Sequence, residues 1–141
     1  MSKTNGERES LFSKQTIETV MHRCLEAVMD RYPRLTADGF MNLKDATFAD
    51  RREDLKGQAD GFWAAHAWLS QFDRMKSLSV EGGSKSYGLK EYPERKYQVY
   101  ISNGAFIAAA LNLGFPIQEK GLNAFIGIKR TPKFRSALLH G

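Results

Sequence analysis

Cysteine is almost missing from this 141-residue chain: Cys24 stands alone. A lone thiol closes no internal disulfide, which fits a reducing compartment and leaves the fold to be held by its core. Long apolar runs are missing as well, none approaching the roughly 18 residues that a membrane-spanning helix needs. The opening MSKTNGERES carries no apolar stretch of the signal-peptide kind. These absences predict a cytoplasmic protein with no membrane partner. Histidine is scarce, and His22, His66 and His140 lie far apart in sequence. No Cys-x-x-Cys pair, no His-Glu-x-x-His and no cluster at metal-ligand spacing is present. EGGSKS lacks the glycine that a phosphate loop needs further upstream, and Ser84 separates Gly83 from Lys85. Tyr92 and Lys96 stand four apart, like the Tyr-x-x-x-Lys pair of short-chain dehydrogenases, but the glycine-rich nucleotide loop of that fold is missing. Ser86 and Lys90 would face each other on a helix with no third group to complete a catalytic set. The sequence therefore calls for no metal, no cofactor and no catalytic residue, and we expect a protein that is not an enzyme.

What is present suffices for one domain over residues 1–141, since apolar content is 42% and charged content 26%. The net charge of +5 is unevenly placed. Acids and bases balance over 1–33 and again over 34–76, whereas 77–141 holds nine basic and four acidic side chains. An excess confined to one half suits a polyanionic partner; the plainer reading is a basic surface that serves solubility.

Along the chain, residues 1–10 are polar and expected to fray. Ile17, Val20, Met21, Cys24, Leu25, Val28 and Met29 recur at helical spacing, and Pro33 stops that helix. Cys24 lies on the apolar stripe and reads as a core thiol. LTADGF reads as a loop turning at Asp38-Gly39. Helical patterning then runs over about 43–76, with Phe48, Leu55, Ala59, Phe62, His66 and Leu69 on one stripe. Gly57 and Gly61 allow either a break or a close helix approach, and both remain open. His66 reads as a hydrogen-bonded core histidine. Residues 11–76 thus form a helical support, and SVEGGSKS is the candidate hinge to a module over 85–130. In that module SYGLKEYPERKYQ reads as a short helix, or one interrupted at Pro93. Ser102 is placed to cap a second helix, which Gly114 ends in the left-handed conformation. FPIQ and AFIGIK read as strands joined through Gly121, and Pro116 confines the first to an edge. The basic tail 131–141 is expected to be partly disordered. The predicted fold class is mainly α, of α+β type: a helical domain with a helix-turn-helix-like segment and a small C-terminal β-hairpin.

A groove-reading helix needs polar side chains for base edges and cations for phosphates. From Asn103 to Leu113 the second helix offers Asn112 and no charge. We therefore expect it to be a buried central helix. Its start is different, because Ser102, Asn103 and Gly104 would present unpaired N–H groups to an anion, or simply cap the helix. Just upstream, Lys85, Lys90, Arg95 and Lys96 are interleaved with Tyr87, Tyr92, Tyr97 and Tyr100. Cations bind phosphate and tyrosine rings stack on bases, so Lys85, Tyr87, Lys90, Arg95, Lys96, Tyr97, Ser102 and Asn103 form the candidate nucleic-acid surface. Tyr100 is expected to bury its ring. Lys129, Arg130, Lys133 and Arg135 form a second cluster that would reach a backbone as a wing or arm does, or remain solvated.

The segments SYGLK, YISNGAFIAAALNLGF and LNAFIGI, between Lys85 and Ile128, resemble a group of small, largely uncharacterised bacterial proteins found with phages, plasmids and integrative elements. The resemblance implies a mobile-element or host-conflict setting and no particular activity. The leading expectation is non-enzymatic, phosphate-driven nucleic-acid binding. The alternative is a protein-binding inhibitor or adaptor that acts on a host nucleoprotein or defence complex.

Overall fold

A computed structural model describes residues 5–78 and 83–140, with side chains described from Gln15 onward. The chain opens with α1 (Asn5–Arg31). Its apolar stripe buries only its C-terminal part: Leu25, Val28 and Met29 enter the core, whereas Ile17 and Val20 stay exposed. The expected stripe is thus buried only from about Leu25 onward, with Ile17 and Val20 left on the surface. After Pro33, the stretch expected as a loop folds into a miniature hairpin of β1 (Leu35–Thr36) and β2 (Gly39–Phe40). Thr36 Oγ1 donates to the Gly39 carbonyl and accepts from the Asp38 N–H, which locks the turn. Gly39 has φ +120°, a conformation open to glycine and strained for other residues.

The helical stretch expected over 43–76 divides into α2 (Phe48–Lys56) and α3 (Ala59–Leu69). Both meanings of the two glycines apply. Gly57 closes α2. A Cβ on Gly61 would lie 2.8 Å from the Tyr100 carbonyl oxygen, so α3 runs against that backbone because no side chain intervenes. Helix also ends earlier than the pattern suggests. Residues beyond Ser70 take hydrogen bonds to the C-terminal hairpin region instead: Met75 N–H donates to Gly127 O, and Lys129 N–H to Asp73 O. Non-local partners outcompete the local ladder there.

The candidate hinge lies partly outside the described residues. Its last part, β3 (Ser84–Lys85), pairs with β5 and is a fixed strand. α4 (Ser86–Leu89) and α5 (Glu91–Tyr97) follow, separated at Lys90. Pro93 has no N–H to give the Leu89 carbonyl, which accounts for the interruption. α6 (Asn103–Asn112) is capped by Ser102, whose Oγ accepts from the Ala105 N–H, and ends at Gly114 with φ +83°. β4 (Ile117–Lys120) and β5 (Asn123–Ile126) form the expected hairpin through Gly121. The sheet order is β3-β5-β4, so β4 with Pro116 before it is an edge strand as expected.

The tail departs from expectation. Pro132–His140 forms a helix, α7. Thr131 accepts from the Phe134 N–H as an N-cap, and Pro132 sits where a missing N–H costs nothing. Phe134 is fully buried and meets Phe72 and Trp68 edge-on. Burying such a ring stabilises by about 2–3 kcal/mol, enough to order a short helix. α6 is the centre of the molecule: every residue from Asn103 to Ala110 is buried, with α3 and α1 packed against it. The helix-turn-helix order exists, but its second helix is core and faces no groove. The fold is thus mainly helical α+β with two small antiparallel sheets.

Candidate nucleic-acid interface

Folding of the tail creates a cleft between α5 and α7. Arg95 and Lys96 come from one side and Lys133, Ser136 and His140 from the other, around a volume of about 470 Å³. Trp68, Gln71, Tyr92 and Ala137 complete the lining, and among the described residues no carboxylate is part of it. Tyr92 stacks on buried Trp68 with ring centres 5.9 Å apart, and the Arg95 guanidinium lies 5.0 Å from the Tyr92 ring. That contact positions the arginine without neutralising it. Among the described residues Arg95, Lys96 and Lys133 make no ion pair. Unpaired cations converging on a concave surface raise its potential for anions.

Lys90, expected in the same surface, is placed otherwise. Its ammonium is 2.9 Å from the Glu94 carboxylate, whose other oxygen accepts from the Ile101 N–H. The Lys90 side chain is largely buried and lies 5.1 Å from the Tyr87 ring and 5.8 Å from the Tyr100 ring. Tyr100, expected to be buried, is 66% exposed, because Ile101 turns inward to fill the core and the alternation sends its neighbour out. Tyr97 lies partly exposed beside Trp63, Ala64 and Val99, with Lys96 over its ring.

Three N–H groups at the start of α6 are already taken. Gly104 N–H donates to the Ala37 carbonyl, Ala105 N–H to Ser102 Oγ and Phe106 N–H to Ser102 O. The first hairpin seals this terminus: a Cβ on Gly104 would overlap the Thr36 carbonyl oxygen. Ser102 and Asn103 are both buried. Of the two sequence readings of Ser-Asn-Gly, capping describes the backbone. Arg51 holds the hairpin from outside through a two-pronged pair with Asp38, at 2.9 and 2.7 Å. Its hydrogen bonds to that carboxylate push the guanidinium pKa above its ordinary value. Arg52 likewise binds the carbonyls of Met29, Tyr32 and Leu35. Both arginines act structurally.

The remaining candidates are dispersed. Lys85, Lys129 and Arg135 are exposed, and Arg130 reaches Ser84 Oγ at 3.5 Å. Lys133 alone of the tail cluster joins Arg95 and Lys96 in the cleft. Sequence reasoning missed Gln71, Ser136 and His140. The Thr131-Pro132 helix start was the one signal that could have found the last two. His66 Nε2 is 3.1 Å from Asn112 Oδ1, so it is hydrogen-bonded as expected, but it is half-buried at the edge of the core rather than inside it. Among the described residues no group of histidine, cysteine and acidic side chains could hold a metal ion, and no helix is long and apolar enough to cross a membrane. Comparisons with protein-family models, with curated proteins and with solved structures find no match to this chain.

Proposed function

We propose that this protein is a non-enzymatic, phosphate-driven nucleic-acid-binding protein of a bacterial mobile-element or phage setting. The observation that carries the reading is the cleft between α5 and α7, where Arg95, Lys96 and Lys133 converge and, among the described residues, no carboxylate pairs with them or lines the cleft. Phosphate contacts of this kind bind without reading sequence, and the buried α6 supplies no reading helix. The test is fluorescence anisotropy with labelled oligonucleotides at two salt concentrations. Micromolar or tighter binding is expected for wild type. Arg95→Ala with Lys133→Ala should weaken it similarly on unrelated sequences. No binding at low salt would overturn the reading.

A second reading is a protein-binding inhibitor or adaptor of a host nucleoprotein or defence complex. It draws support from the apolar groove of about 440 Å³ lined by Trp63, Ala64, Ala67, Tyr97 and Val99, with Asp60 at its edge. Under this reading naked nucleic acid is ignored, and a host protein is captured by wild type but lost with Trp63→Ala.

A further inference from the structure

The C-terminal segments meet at a second cleft, of about 490 Å³, on the face where the first hairpin crosses α6. Tyr87 and Lys90 reach it from α4 and its end, Tyr100 and Asn103 from the start of α6, and Leu122 from the β4–β5 turn. Asn103 carries the decisive feature. It is 6% exposed, and its Oδ1 is the one buried side-chain nitrogen or oxygen among the described residues without a hydrogen-bond partner. The amide cannot turn to relieve this. Its Nδ2 faces three acceptors, Asp38 O at 3.0 Å, Asn123 Oδ1 at 3.1 Å and Leu122 O at 3.3 Å. Rotation would set oxygen against oxygen at the Asp38 and Leu122 carbonyls, which cannot become donors. Asp38 is itself clamped by Arg51, and Gly39 leaves no room for a Cβ beside Leu122 O, so the surrounding backbone is fixed. A buried carbonyl oxygen held without a donor is unfavourable, and a native protein that keeps one invites a ligand donor.

The rim says what kind of ligand. Tyr87 and Tyr100 are 59% and 66% exposed, far more than aromatic rings with only a packing role. Both lie within 6 Å of the Lys90 ammonium, which Glu94 neutralises, and Asp38 in the lining is paired with Arg51, so the cleft offers ring faces and the unpartnered Asn103 oxygen rather than an unpaired charge. A planar ring with an N–H on its edge matches this set. We propose that this cleft takes an unpaired nucleobase, stacked on Tyr87 or Tyr100 and donating an edge N–H to Asn103 Oδ1. Leu122, half-exposed on the hairpin turn, lines the same cleft. Every base carries an N–H donor on its edge, but in a duplex its ring faces are stacked on neighbouring bases and out of reach of a tyrosine. The cleft therefore selects single strands over duplex without selecting sequence. For polymers the inference rests on the nucleic-acid reading above; for a free nucleotide it stands apart from it.

The experiment compares a single strand with the duplex of the same sequence by anisotropy, for wild type, Tyr87→Ala/Tyr100→Ala and Tyr87→Phe/Tyr100→Phe. Both tyrosines are exposed, so these variants should fold. In parallel, adenosine 5′-monophosphate is titrated while the Asn103 side-chain amide is followed by NMR. Wild type should prefer the single strand. The alanine pair should lose roughly tenfold on the single strand with the duplex unchanged, and the phenylalanine pair should keep the preference. Equal affinity of wild type for both forms, or equal loss on both, overturns the cleft while leaving phosphate-driven binding in place. If no polymer binds, the nucleic-acid reading fails and the titration decides the cleft. A saturable shift of the Asn103 amide upholds it, and an unmoved signal overturns it.

Discussion

At the scale of single residues, the positions that matter most are those where something small or unpaired is required. Gly104 is one. Its N–H binds the Ala37 carbonyl and its missing Cβ lets the Thr36 backbone lie against α6. Backbone meets backbone there, and neither side can give. Gly104→Ala should therefore destabilise the protein by about 3 kcal/mol, at the upper end of overpacking effects. A urea melt that shifts by less than about 1 kcal/mol would show that the hairpin is not seated as described. Nothing in the sequence separates this glycine from Gly88, where a Cβ would meet open space. The difference lies wholly in what crosses over each. The same holds for Tyr100 and Ile101. Both look like core residues in the string, and only the path of the chain past Gly61 decides that one ring faces out.

At the scale of elements, local signals mark most starts and stops. Ser102 and Gly114 bound α6, Pro116 marks an edge, and Gly57 ends α2, all by chemistry confined to a few neighbours. α7 is different. Its polar, basic stretch carries little burial in its own pattern, and it is docked mainly by Phe134, which enters an aromatic cluster with Trp68 of α3 and Phe72 just beyond it, with Ala137 and Leu138 packed alongside. Phe134→Ala removes contacts of a kind worth about 3–5 kcal/mol in a well-packed core. We expect amide exchange to lose protection throughout α7, with the centre of α6 staying protected. Nucleic-acid affinity should fall as well, because Lys133 and His140 reach the cleft only when α7 is docked. Intact affinity with α7 exchanging freely would remove that cleft from the binding surface.

At the scale of the whole molecule, the basic excess of the C-terminal half is not one surface. Lys90 is paired, Arg130 turns toward Ser84, and Arg95, Lys96 and Lys133 share a cleft as three cations without an ion pair among the described residues. Three phosphate contacts predict a slope of log K against log salt of about −2 on single strands. Arg95→Ala with Lys133→Ala should flatten it by about 1.4. An unchanged slope in that double variant would place the phosphate contacts elsewhere, on Lys85, Lys129 or Arg135.

The sequence by itself determined the mainly helical class, the capped apolar helix at 103–112, the edge hairpin and the side of the charge balance. Each depends on periodicity, turn chemistry or composition, which neighbours along the chain carry. Tertiary structure alone decided the docking of α7, the sealing of the α6 terminus and the stranding of Asn103 Oδ1. Those depend on which distant backbone lies within a few ångströms, and no local pattern records it.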